Sequence, residues 1–124
     1  MKNLKTIRKD TGWININNFE VGYEPFIDQN YAVPAYRVID KVCFLRGIIL
    51  KSNSILAQTA LALIFDLEIK PTTRCNFLIP GWTTSDIVIS TISTILSSEG
   101  DLNIFATPHS TKRFFSLDGI NYPI

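Results

Sequence analysis

The sequence predicts an all-β chain, an antiparallel β-sandwich of jelly-roll-like form, and three observations carry that expectation. Apolar and polar side chains alternate with period two over short runs instead of recurring at helical spacing. The runs are rich in Ile, Val, Thr, Phe and Tyr, residues that pack well on a pleated surface and lose side-chain freedom in a helix. Turn-forming residues punctuate the chain at intervals of roughly 8–12 residues, which gives about eight short strands and the spacing of a sandwich or barrel.

Trp13-Ile14-Asn15-Ile16-Asn17 alternates and reads as the first strand. The stretch from Phe19 to Pro34 holds Gly22, Pro25 and Pro34 and reads as a long loop packed by Phe19, Tyr23, Phe26 and Tyr31. Tyr36-Arg37-Val38-Ile39 and Val42-Cys43-Phe44-Leu45-Arg46 alternate on both sides of a polar pair, Asp40-Lys41, and read as a hairpin. Its second arm continues through Ile48-Ile49-Leu50 to a turn at Lys51-Ser52-Asn53-Ser54.

Ile55 to Ile69 contains good helix formers, but Leu61, Leu63, Phe65, Leu67 and Ile69 occupy alternate positions, so a strand is expected. Cys75 to Ile79 reads as a short strand stopped by Pro80-Gly81, and Asp86 to Leu96 as a β-branched strand. After a turn at Glu99-Gly100-Asp101, Leu102 to Ala106 resumes a strand that Pro108 breaks. Arg113 to Leu117 and Ile120 to Tyr122 then read as a closing hairpin around Asp118-Gly119, a pair suited to tight turns. No repeat, low-complexity segment or linker divides the chain, so a lead-in over 1–10 and a single domain over 11–124 are expected.

The chain has 124 residues, 46% of them hydrophobic and 19% charged, which suits one folded domain with a real core. A net charge of +1 offers no field for a polyanion, so no nucleic-acid partner is expected. The basic cluster Lys2, Lys5, Arg8 and Lys9 is short and reads as a solvated lead-in. Met1-Lys2-Asn3-Leu4 is not followed by an apolar signal-peptide core, and Ile55 to Ile69 is interrupted by Gln58, Asp66 and Glu68, so neither a leader nor membrane insertion is expected. Two cysteines and one histidine fall short of a zinc ligand set, and neither a metal nor any other cofactor is expected. Cys43 reads as a small buried hydrophobe; a Cys43–Cys75 bridge stays open as a pairing but is disfavoured in a reducing cytoplasm.

Catalysis finds little support. His109 is the sole histidine able to serve a nucleophile, and Thr107-Pro108-His109-Ser110-Thr111 looks like an exposed loop. The carboxylates Glu20, Glu24, Asp86, Glu99 and Asp101 show no spacing that favours an acid–base pair, and no phosphate-cradling glycine loop occurs. Saccharide binding needs a flat aromatic face and polar side chains on loops at one end of a sandwich. Trp82 with Asp86 in Pro80-Gly81-Trp82-Thr83-Thr84-Ser85-Asp86, together with His109 and Arg113, are the candidate ligand-binding residues. The competing reading of Trp82 is a half-buried aromatic that caps the sandwich edge. Arg37 and Arg46, inside the hairpin, are expected in cross-strand or inter-subunit ion pairs rather than in a ligand site.

Three pieces of the chain, in this order and spacing, resemble the terminal domain of bacteriophage tail-fibre and baseplate receptor-binding proteins. Asp10-Thr11-Gly12-Trp13-Ile14 resembles its opening strand, Tyr36 to Gly47 its "YR…LRG" hairpin, and Ser116-Leu117-Asp118-Gly119-Ile120 with Tyr122 its closing segment. Leu63 to Leu67 resembles the strand before a "P-x-GYRP" loop, but Glu68-Ile69-Lys70-Pro71-Thr72-Thr73-Arg74 lacks the Gly-Tyr pair. The resemblance implies a noncatalytic adhesin that recognises a host cell-wall or surface saccharide. It also implies a homotrimer, contacts with other tail or baseplate proteins, and residence in the virion after assembly in the bacterial host cytoplasm. A purely structural virion module is the alternative, and a small cell-wall glycan hydrolase the third.

Overall fold

The computed structural model describes residues 9–20, 22–51, 69–82, 90–105 and 114–124. Among them are ten strands and no α-helix, the strands arranged as two antiparallel sheets. The four-stranded sheet runs β1 (Ile14–Asn15), β3 (Ala35–Ile39), β4 (Val42–Arg46) and β10 (Asn121–Pro123). The six-stranded sheet runs β2 (Tyr23–Pro25), β5 (Ile48–Lys51), β9 (Phe114–Ser116), β6 (Cys75–Trp82), β7 (Ser90–Leu96) and β8 (Leu102–Phe105). One apolar cluster draws on both: Tyr36, Cys43, Leu45 and Tyr122 from the first sheet, and Ile49, Ile79, Ile92, Leu96, Leu102, Ile104 and Phe115 from the second. The expected all-β sandwich class is therefore what the chain adopts.

The β3–β4 hairpin forms as its alternation dictates. Tyr36 faces Leu45 and Val38 faces Cys43 on the core side, while Arg37 faces Phe44 on the outer side. Asp40 and Lys41 both take positive φ, 49° and 71°, the requirement of the two-residue turn whose twist matches paired strands. Lys9 exchanges backbone hydrogen bonds with this turn, its carbonyl accepting from Asp40 N at 3.0 Å and its N–H donating to Asp40 Oδ1 at 3.1 Å. Thr11 N donates to Val38 O, and Thr11 Oγ1 accepts from Val38 N, each at 3.0 Å. The segment before β1 is thus stitched along β3.

Several expectations change. The single strand read through Leu50 is two, β4 and β5, which lie in different sheets and are joined by Gly47 at φ +104°. Such bends let a strand turn a corner from one sheet to the other. The closing hairpin is likewise not a hairpin: β9 pairs with β5 and β6, whereas β10 pairs with β4. Asp118-Gly119 carries the chain across, and it does so because Asp118 Oδ1 accepts a 2.8 Å hydrogen bond from Gly47 N while Gly47 O accepts one of 2.8 Å from Leu117 N. Pro80-Gly81 does not stop β6, which continues to Trp82; β9 reaches β6 only at Gly81 and Trp82, so one side of the strand up to Pro80 has no ladder among the described residues, the setting that tolerates proline. Within the stretch read as a loop, Tyr23–Pro25 adds an edge strand along β5. Ile69 is buried in a turn rather than a strand, and its carbonyl accepts from the Tyr122 hydroxyl at 2.8 Å. The rest of the strand expected over Ile55 to Ile69 lies outside the described residues, as do Lys2, Lys5, Arg8 and Pro108.

Candidate functional site

Of the four residues singled out as ligand-binding, Trp82 is described, and Asp86, His109 and Arg113 lie outside the described residues. Trp82 ends β6 opposite Phe114, and the two rings stack at 5.8 Å and 14°. Phe114 meets the edge of Phe26 at 5.0 Å, and Phe26 meets Tyr31 at 5.7 Å. One face of Trp82 is therefore spent on a chain of packed rings, on a strand that lies between β9 and β7.

The cleft lies elsewhere, on the outer face of the four-stranded sheet. It encloses about 350 Å³. Alternation builds its floor, because residues whose neighbours face the core must face outward. Arg37 and Ile39 of β3, Phe44 and Arg46 of β4 and Asn121 of β10 line it, with Arg37 and Asn121 the cross-strand partners of Phe44 on either side. Trp13 forms one rim, and the corner turn Asp118-Gly119-Ile120 forms another.

The two guanidinium groups in this cleft differ. Arg37 holds the Asp10 carboxylate side-on, Nε to Oδ1 at 2.9 Å and Nη2 to Oδ2 at 2.6 Å. This hydrogen bond raises the Arg37 pKa further above its ordinary value. Arg46 instead lies over the Trp13 ring, 4.1 Å from its centroid, a cation–π contact, with Arg37 more distant at 5.9 Å. It stands opposite Ala35, which is fully buried and leaves room for the larger groups. Its Nε is buried and has no hydrogen-bond partner among the described residues. The ion-pair expectation thus holds for Arg37, across to the neighbouring segment, and for Arg46 no ion pair is found among the described residues. Among the described residues the lining has one carboxylate, Asp118, and its Oδ1 is engaged by Gly47. No group of three His, Cys, Asp or Glu side chains able to hold a metal occurs among the described residues.

Beneath the sheet, burial pushes the Cys43 thiol up to about 11. Burial likewise raises the Tyr122 phenol well above 10.0, with Cys43 close by. Both cysteines are free thiols.

Alternation along the hairpin puts Arg37, Phe44 and Arg46 on one face, but the sequence reading assigns both arginines to ion pairs rather than to a ligand site. The position of Trp13 is not readable from sequence, because it depends on the pairing of residues 9–15 along β3. No protein-family model, characterised protein sequence or solved structure matches this chain.

Proposed function

We propose that this chain is a receptor-binding domain of a bacteriophage tail tip or baseplate that holds a host-surface saccharide without cleaving it, acting as a homotrimer within the virion. The observation that carries the reading is the cleft of the four-stranded sheet. Phe44 and Ile39 offer an apolar surface for a sugar ring to pack against, while Arg46 and Asn121 stand beside it to bond hydroxyls. Glycoside cleavage needs two carboxyl groups flanking the bond, and among the described residues the lining has one, already tied to the corner. The free thiols of Cys43 and Cys75 fit assembly in a reducing cytoplasm.

A shallow site of this kind binds a single sugar weakly, since it buries little area and must desolvate hydroxyls. Three linked copies convert weak sites into useful avidity. A glycan array of bacterial surface polysaccharides, combined with light scattering after size exclusion, tests the proposal. Retention of a defined glycan subset, no product release and a trimer mass are expected. Silence across the array with capture of other tail proteins would favour a structural module, and a monomer of 14.0 kDa would remove the trimer.

A further inference from the structure

We infer that the saccharide taken by the Trp13–Arg46 cleft is acidic, and that its carboxylate pairs with the Arg46 guanidinium. The inference rests on the saccharide reading of the cleft and adds the charge of the sugar. Two arginines on the same sheet face set the comparison. Arg37 uses its Nε and Nη2 edge to hold both oxygens of Asp10. That planar fork matches a carboxylate, and the internal pair neutralises Arg37. Arg46 has the same edge, yet its Nε is buried with no acceptor among the described residues. A buried donor without an acceptor is an unfavourable state that an incoming oxyanion relieves.

The packing around Arg46 favours this further. Stacking on Trp13 covers a face of the guanidinium, so an acceptor has to meet Arg46 in the plane of that group. Asp118 shares the lining but spends Oδ1 on Gly47 N. Phe44 and Ile39 line the same cleft, so a ring that carries a carboxyl group would meet apolar surface and guanidinium together. A guanidinium fork can hold a carboxylate or a phosphate, and on this sheet face the carboxylate case is already built, in Asp10 on Arg37.

The test is an array of matched pairs, each uronic-acid oligosaccharide beside its carboxyl-reduced form, with phosphodiester-linked glycans as a third set. The full chain should hold some acidic members about tenfold or more tighter than their reduced twins, the loss expected for one charge-assisted hydrogen bond. R46Q should erase the difference between each acidic member and its reduced twin while also weakening the neutral members, which lose a hydroxyl partner, and R46K should restore only part of the difference, because an ammonium lacks the fork. Nuclear magnetic resonance on the unaltered chain, titrated with the best acidic member, should move the Arg46 Nε–H signal; this readout stands even if a variant fails to fold. Equal binding of both members of each pair, or an unmoved Arg46 signal during binding, overturns the acidic assignment while the saccharide reading survives. Preference for the phosphodiester set overturns the carboxylate. No glycan binding at all overturns both.

Discussion

Replacing Gly47 by alanine should be among the most damaging small changes in this protein. At φ +104° a side chain is strained, at a cost of about 1–3 kcal/mol. A Cβ there would also sit 2.4 Å from both Pro34 Cα and Pro34 N, backbone atoms that cannot rotate aside. Relieving such an overlap by shifting backbone costs about 1–3 kcal/mol more. The shift would disturb the bonds from Gly47 N to Asp118 Oδ1 and from Leu117 N to Gly47 O, both 2.8 Å, adding about 0.5–1.5 kcal/mol each. The total, about 3–9 kcal/mol, is a large share of the roughly 5–15 kcal/mol that holds a domain together. Gly119→Ala is the internal control: its φ is similarly positive, +89°, but nothing lies within 4 Å of its Cβ. Urea unfolding followed by tryptophan fluorescence should place G47A at least about 2 kcal/mol below G119A. Equal losses in the two variants would refute the claim that contact with Pro34 and the paired corner set the cost.

Stability should fall as the solution becomes alkaline. Burial raises the folded-state values of Cys43 from 9.0 to about 11 and Tyr23 from 10.0 to about 12, so the unfolded chain loses these protons first. The stabilisation is whole below pH 9 and drains away up to about pH 12, which urea midpoints across that range would show. The half-buried Cys75 should react with a thiol reagent before Cys43, whose thiolate is suppressed; mass spectrometry after partial labelling reads the order. Trp82→Ala should lower stability by about 2–4 kcal/mol through loss of burial and of stacking on Phe114 while leaving glycan binding at the cleft intact, and loss of binding in a folded variant would move the site. Asp10→Asn should weaken the tie to Arg37 and speed proteolysis of the segment before β1, with no change expected in β3–β4 exchange protection.

The β3–β4 hairpin was legible because its signals are local: alternation on each arm and a polar pair between them, in which Asp40 suits positive φ and Lys41 takes it although the residue type does not favour it. The corners were not. Asp118-Gly119 satisfies a hairpin turn and a crossing equally well by composition, and the decision falls to Asp118 reaching Gly47, a residue 71 positions away. Pro80 misled for a related reason: a proline stops a central strand but not one with an open side, and openness belongs to the sheet. In the cleft, alternation shows which hairpin residues face outward, yet whether an arginine finds a carboxylate depends on the neighbouring segment. Asp10 reaches Arg37, and Trp13 in place of a carboxylate meets Arg46.

The bond between Asp118 and Gly47 also bears on how quickly a ligand is taken up. Asp118, Gly119 and Ile120 form a rim of the cleft, and the same contacts that carry the chain between sheets fix that rim before any ligand arrives. No ordering step then precedes capture on that side, so association should follow a single phase whose rate scales with ligand concentration. Differences in affinity among sugars would appear as differences in residence time, and an adhesin built this way would sample a cell surface by many brief contacts before several sites engage at once.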